Sequence, residues 1–114
     1  MKIVLNRCYG GFGLSDKAKE LLESLVGSEV SLTDIRYNKE CRTSRDLIKV
    51  VETMGSDANS AFSNLKIIRI PNNTTDWDIV EYDGLEDIVY VVDGKIHRKW
   101  KVTVLLILVG YQFY

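Results

Sequence analysis

Cysteine is scarce in this chain of 114 residues, and neither an excess of charge of one sign nor a membrane-length hydrophobic run is present. The two cysteines, Cys8 and Cys41, and the single histidine, His97, lack the close spacing of a zinc site, so no metal is predicted. Two free thiols are typical of a reducing compartment. The formal net charge of −1 argues against broad attraction to duplex nucleic acid, although it is compatible with a local basic patch.

The most apolar stretch, Val-Thr-Val-Leu-Leu-Ile-Leu-Val at residues 102–109, is too short to cross a bilayer, which takes about 20 apolar residues. The start of the chain turns polar at Asn6, so no secretory leader is predicted either. The apolar pattern of residues 102–109 predicts a buried or edge strand, and the alternative is an exposed apolar surface that drives self-association. No association with a membrane is expected.

The length, with 46% hydrophobic and 27% charged residues, indicates one ordinary folded domain. The order of predicted elements places residues 1–101 in a single α+β domain, with two or three helices packed on one face of a mostly antiparallel sheet. Residues 102–114 are predicted to be an apolar C-terminal extension, either a strand or an oligomerisation segment.

The first half of the chain contains the helical patterns. A strand at residues 3–9 is broken by glycines, and a helix then runs from an N-cap at Ser15 to a stop at Gly27. A second helix is capped by Thr43 or Ser44 and ended by Gly55. The remaining segments are predicted to be a short strand at residues 30–37, a loop at 38–43 and a short third helix at 58–65.

The second half of the chain has the pattern of strands. Pro71 ends the first of them, Asp83-Gly84 interrupts the series, and Asp93-Gly94 is the strongest short hairpin signal. The four strands are predicted at residues 66–70, 77–82, 88–92 and 95–100.

A glycine-rich turn between the first strand and the first helix is one candidate site. Backbone N–H groups in such a turn can bind an anion at a helix N-terminus. The turn has neither the phosphate-loop nor the dinucleotide-binding pattern, so a tight structural turn with Phe12 packed nearby is the alternative.

A basic and aromatic segment near residue 100 is the second candidate site. Strand alternation places Ile96, Arg98 and Trp100 on one face and the lysines with His97 on the other. Arginine beside aromatic rings suits a nucleotide or an acidic protein surface, whereas an edge strand protected by lysines is the alternative. The predicted ligand-binding residues are Arg7, Tyr9, Gly10, Gly11, Phe12, Gly13, His97, Arg98 and Trp100.

Six carboxylates crowd residues 76–87, and their spacing does not match an EF-hand. A solvated acidic face is the favoured interpretation. General acid–base chemistry, a hard cation, mimicry of nucleic-acid charge, docking on a basic partner and pairing with the neighbouring basic segment stay open.

No catalytic residue is predicted, and the chain is not expected to be an enzyme. A Cys8–His97 dyad is conceivable, but Cys8 lies in a predicted core strand, where thiols are usually inert. The chain has no nucleophile elbow for a serine.

The opening Lys-Ile-Val-Leu-Asn-Arg-Cys-Tyr-Gly-Gly-Phe-Gly-Leu-Ser resembles a family of small, uncharacterised phage and prophage proteins. The resemblance implies a phage source without a fixed activity. With a phage source, the reducing compartment that two free thiols indicate would be the host cytoplasm. Members of that family end near the tryptophan, so residues 102–114 depart from its pattern. The stretches that carry the resemblance are residues 2–15, 46–52, 81–86 and 97–100, within a match of about residues 1–100.

Small phage accessory proteins often act by stoichiometric binding, so the chain is predicted to antagonise a host defence in this way. Its partner would be a small nucleotide signal that it sequesters or a host effector protein that it blocks. A virion or assembly module that forms homo-oligomers through residues 102–114 and a small enzyme using Cys8 and His97 are the alternatives.

Overall fold

The computed structural model describes residues 1–100, and the extension predicted for residues 102–114 lies outside the described residues. In chain order the helices and strands are β1 (Lys2–Asn6), α1 (Asp16–Val26), α2 (Leu32–Tyr37), α3 (Arg45–Met54), β2 (Leu65–Arg69), β3 (Asp76–Tyr82), β4 (Leu85–Val92) and β5 (Lys95–Arg98). Two 3₁₀ turns, Lys39–Thr43 and Gly55–Ala58, flank α3.

The boundaries of α1 confirm the helix predicted from its caps. The Ser15 hydroxyl accepts a hydrogen bond from the Ala18 N–H, which satisfies a donor at the start of the helix. Gly27 takes the left-handed conformation at the end, and its N–H donates to the carbonyl of Glu23. Local side-chain chemistry therefore sets both ends of this element.

The helix α3 is confirmed as well, and its N-cap is Ser44, whose hydroxyl accepts from the Leu47 N–H. Its buried residues, Leu47, Val50 and Val51, have the spacing of one helical face. Gly55 is its C-cap, as predicted.

Two local predictions were wrong. Residues 30–37 do not form a strand, because Ser31 caps the short helix α2 by accepting from the Asp34 N–H and only Ile35 of that helix is buried. Residues 58–65 do not form a third helix, since the 3₁₀ turn ends at Ala58 and Leu65 already opens β2. The Asn59 side chain accepts from the Leu65 N–H, so a polar turn takes the place of the predicted helix.

The strands form two antiparallel sheets among the described residues, one of β1 and β2 and the other in the order β3-β4-β5. Both two-residue connections of the larger sheet, Asp83-Gly84 and Asp93-Gly94, have positive φ at both positions. That geometry matches the right-handed twist of paired strands, so the hairpin predicted at Asp93-Gly94 is confirmed.

The β1–β2 sheet lies between the helices and the larger sheet. Val4 and Leu65 point into one core together with residues of α1 and α3. Ile3, Leu5 and Ile68 point into a second core with Ile88 of β4. The α+β class is therefore confirmed, with helices on one face of the small sheet and the larger sheet on its other face. Within residues 1–100, no helix has the length and hydrophobicity needed to span a membrane.

A cationic cleft as the candidate functional site

A cleft of about 500 Å³ lies between β2 and the segment that follows β5. Its apolar wall comes from Ile67 and Ile68, and Trp100 contributes an aromatic ring. Cationic side chains complete it. The four cations that line the cleft are Arg7, Lys66, Arg69 and Lys99.

Arg7 lines this cleft and is held there by backbone and side-chain contacts. Its backbone N–H donates to Asn64 O, which continues the β1–β2 ladder past the end of β1. Its Nη1 donates to the carbonyl of Glu86 at 2.7 Å, and the guanidinium carbon lies 4.0 Å from the centroid of the Trp100 ring. Such stacking leaves the other N–H groups of the guanidinium able to bind an anion.

The cleft cations have no carboxylate partners among the described residues. The four ion pairs found in residues 1–100 use Lys2, Lys19, Arg36 and Arg42 as their cations. Four positive side chains therefore line one cleft in a chain whose net charge is −1. The cleft is therefore a local basic patch, which a net charge of −1 does not exclude. Neighbouring cations of this kind attract anions.

The buried carboxylate of Asp87 lies next to this patch. Its Oδ1 accepts from the Trp100 N–H at 3.3 Å and from the Ile88 N–H at 2.7 Å. Its Oδ2 has no hydrogen-bond partner among the described residues. Burial raises the pKa of Asp87 above the ordinary value of 3.8. The two backbone N–H groups, and more weakly the charges of Arg7 and Arg98, lower this pKa, but the effect of burial is larger.

Two of the predicted site residues, Arg7 and Trp100, therefore come together, because Arg7 stacks on the Trp100 ring and both line the cleft. Arg98 is half-buried and is not among the residues that line the cleft, although its charge acts weakly on Asp87.

Lys66 and Arg69 belong to the same cleft but were missed, because only the fold brings β2 next to residues 99 and 100. The sequence signal that could have found them is the pair of cations in an otherwise apolar strand. Lys99 was missed as well: strand alternation placed it on the face opposite Trp100, but β5 ends at Arg98 and both residues line the cleft.

The glycine-rich turn lies against other parts of the molecule. Phe12 is buried, and the Arg42 guanidinium lies 3.9 Å from the centroid of its ring. A side chain at Gly10 would meet Phe62, and one at Gly13 would meet Ser60. The turn is thus a tight structural turn with Phe12 packed nearby, which was the alternative to an anion site. No residue from Gly10 to Gly13 is among those that line the cleft.

The remaining predicted site residues, Tyr9 and His97, are exposed. Tyr9 is 55% exposed and does not line the cleft. The His97 ring stacks on Tyr90, with 5.3 Å between the centroids. The part of Tyr9 and His97 in ligand binding stays a prediction. Ile96, which is not a predicted site residue but which strand alternation places on the same face as Trp100, is 69% exposed.

The acidic segment separates into two groups in the fold. Asp76, Asp78, Glu81 and Asp83 are exposed, as expected for a solvated face. Glu86 and Asp87 are buried instead.

Glu86 makes two hydrogen bonds to the fully buried Arg42, at 2.6 and 2.7 Å, and one to the backbone N–H of Asn6. Arg42 also donates to the backbone carbonyl of Val4. The pair ties β4 to β1, next to the point where Arg7 leaves that strand. It is therefore a structural support for the cleft rather than a part of its wall.

Neither a dyad nor a metal site is formed among residues 1–100. The described hydrogen bonds do not join Cys8 to His97, and Cys8 lies just after β1 and is half-buried. The described residues contain no group of three or more histidine, cysteine or acidic side chains able to hold a metal ion.

Comparisons of the chain with protein-family models, with curated proteins and with solved structures gave no match.

Proposed function

We propose that this protein is a stoichiometric binding protein that takes up a nucleotide in the cationic cleft. The observation that carries the proposal is a cleft lined by Trp100 and by four cations that have no carboxylate partner within residues 1–100. Cations bind the phosphate groups, and an aromatic ring offers a face for a base. In the phage setting that the sequence resemblance implies, such binding would sequester a nucleotide signal of a host defence.

The dimensions of the cleft favour a small ligand over a nucleic-acid duplex. Its volume of about 500 Å³ falls within the range of about 300–1,000 Å³ that is usual for small-molecule pockets. A duplex would require a longer basic surface, and the net charge of −1 works against it. The cleft therefore supports binding of a mononucleotide or dinucleotide.

The test is calorimetric titration of the full chain with adenine and guanine mononucleotides and with cyclic dinucleotides. We expect at least one to bind with 1:1 stoichiometry and to raise the melting temperature, because a ligand that binds only the folded state stabilises it. Lys66→Ala and Arg69→Ala should each raise Kd by about fivefold to tenfold, which corresponds to about 1–1.4 kcal/mol per lost charge-assisted contact.

Lys17→Ala is the matched control, because Lys17 is an exposed cation on α1 and does not line the cleft. It should leave Kd unchanged. If none of these nucleotides binds, or if the Lys17 variant weakens binding as much as the cleft variants do, the proposal is wrong.

A further inference from the structure

The strand β2 has a partner on one side only among the described residues. It pairs with β1 in a two-stranded sheet, with Ile3 opposite Ile68 and Val4 opposite Ile67. The flanking bonds, from Ile70 N–H to Met1 O and from Arg7 N–H to Asn64 O, show which residues face β1. Because antiparallel ladders alternate, the N–H and C=O groups of Ile67 and Arg69 point away from β1.

The opposite edge of the same sheet is treated differently. On β1, the carbonyl of Val4 accepts from Arg42, and the N–H of Asn6 donates to Glu86. Those outward backbone groups are thus covered by a buried ion pair. The outward groups of Ile67 and Arg69 have no such cover from residues 1–100, so β2 presents an open edge.

This open edge lies in the cationic cleft, since residues 66 to 69 form one of its walls. Lys66 and Arg69 are exposed and lie on opposite faces of β2, because successive side chains alternate. A second copy of β2 would bring the same positive charges together, which disfavours pairing between two copies of this chain. A strand with negative side chains is the occupant that the charges favour.

We propose that the open edge of β2 binds an extended acidic segment of a partner protein as an added strand. The backbone groups of Ile67 and Arg69 would supply hydrogen bonds, as in other cases of strand addition. Lys66 and Arg69 would pair with carboxylates on the two faces of the added strand, with Arg7 and Lys99 nearby. This proposal does not depend on nucleotide binding, although a nucleotide in the cleft would compete for the same cations.

The test uses the full chain and the peptide acetyl-Val-Glu-Glu-Val-Glu-Glu-Val-amide, which presents glutamates on both faces of a strand. Hydrogen exchange followed by NMR should show the amides of Ile67 and Arg69 slowed at least tenfold by the peptide. The Ile68 amide is the internal control, because it faces β1 and should not change. The same peptide with lysine in place of glutamate should bind at least tenfold more weakly.

The double variant Lys66→Glu/Arg69→Glu should reverse this preference and bind the lysine peptide more tightly. Should that variant not fold, the exchange data on the natural chain still decide. Slow exchange of Ile67 and Arg69 before any peptide is added would overturn the proposal, because the edge would already be occupied in the free protein. Failure of the acidic peptide to bind, or binding without protection of these two amides, would overturn it as well.

Discussion

At the scale of single residues, Arg42 and Glu86 form the one ion pair within residues 1–100 in which both side chains are buried. Arg42 is 0% and Glu86 3% exposed, and the two side chains form a bidentate pair. Such a pair adds little net stability over an apolar replacement, but the loss of one partner leaves a buried charge without compensation.

We therefore expect Glu86→Gln to lower the free energy of unfolding by about 3–5 kcal/mol. Glu52→Gln is the control, because Glu52 forms an exposed ion pair with Lys2 at 2.8 Å, and its loss should cost about 0–1 kcal/mol. Urea denaturation of both variants measures the difference. Equal effects of the two substitutions would contradict this account of the buried pair.

A second effect at the residue scale is the pH dependence that Asp87 contributes. Burial raises its pKa in the folded state above 3.8, so the folded protein holds this proton more tightly than the unfolded chain does. The stabilisation from protonation is complete below about pH 3.8 and is lost as the pH rises through the raised folded-state pKa.

The variant Asp87→Asn lacks this titration but keeps a side-chain oxygen for the Ile88 and Trp100 N–H groups. We expect wild type to gain stability relative to Asp87→Asn as the pH falls from 7 towards 4, measured by urea denaturation at several pH values. A stability difference that stays constant over this range would show that the folded-state pKa of Asp87 is not raised.

At the scale of elements, the two hairpin turns of the larger sheet are alike in conformation but differ in their surroundings. Gly84 has φ of 89° and Gly94 has φ of 74°. A Cβ at Gly84 would overlap backbone atoms of Tyr9 and Gly11, whereas one at Gly94 would have no atom of the described residues within 4 Å. The first hairpin thus packs against the glycine-rich turn, and the second hairpin has no such contact with residues 1–100.

This difference predicts unequal costs for the same substitution. Gly94→Ala should lower the free energy of unfolding by about 1–2 kcal/mol, the cost of a left-handed residue with a side chain. Gly84→Ala should cost a further 1–3 kcal/mol, roughly, because the backbone it meets cannot move without repacking. Thermal and urea denaturation of the two variants provide the measurement, and a smaller loss for Gly84→Ala than for Gly94→Ala would contradict the packing argument.

The elements also show how far local signals predicted the fold. Helices α1 and α3 were found from their serine caps and terminal glycines, and the hairpin at Asp93-Gly94 from its turn residues, because these signals act within a few residues. Helix α2 was missed because it has six residues and buries only Ile35, so its sequence shows no sustained repeat of apolar residues at helical spacing.

At the scale of the whole molecule, the fold joins segments that are distant in the sequence into one cleft. Arg7 follows β1, Lys66 and Arg69 lie on β2, and Trp100 follows β5. Layering the small sheet between the helices and the larger sheet brings these segments together. A net charge of −1 for the chain therefore coexists with a cleft lined by four cations.

The sequence by itself determined the α+β class, the main helix ends and the hairpin at Asp93-Gly94, and its nine candidate site residues included Arg7 and Trp100, which line the cleft. These depend on local periodicity, capping and side-chain chemistry. Only the tertiary structure decided that Glu86 pairs with Arg42, that Asp87 is buried and that Lys66 and Arg69 join Arg7 beside Trp100. The physical reason is that a charge's partner, its burial and an open strand edge are set by contacts between residues far apart in the chain, which local patterns do not encode.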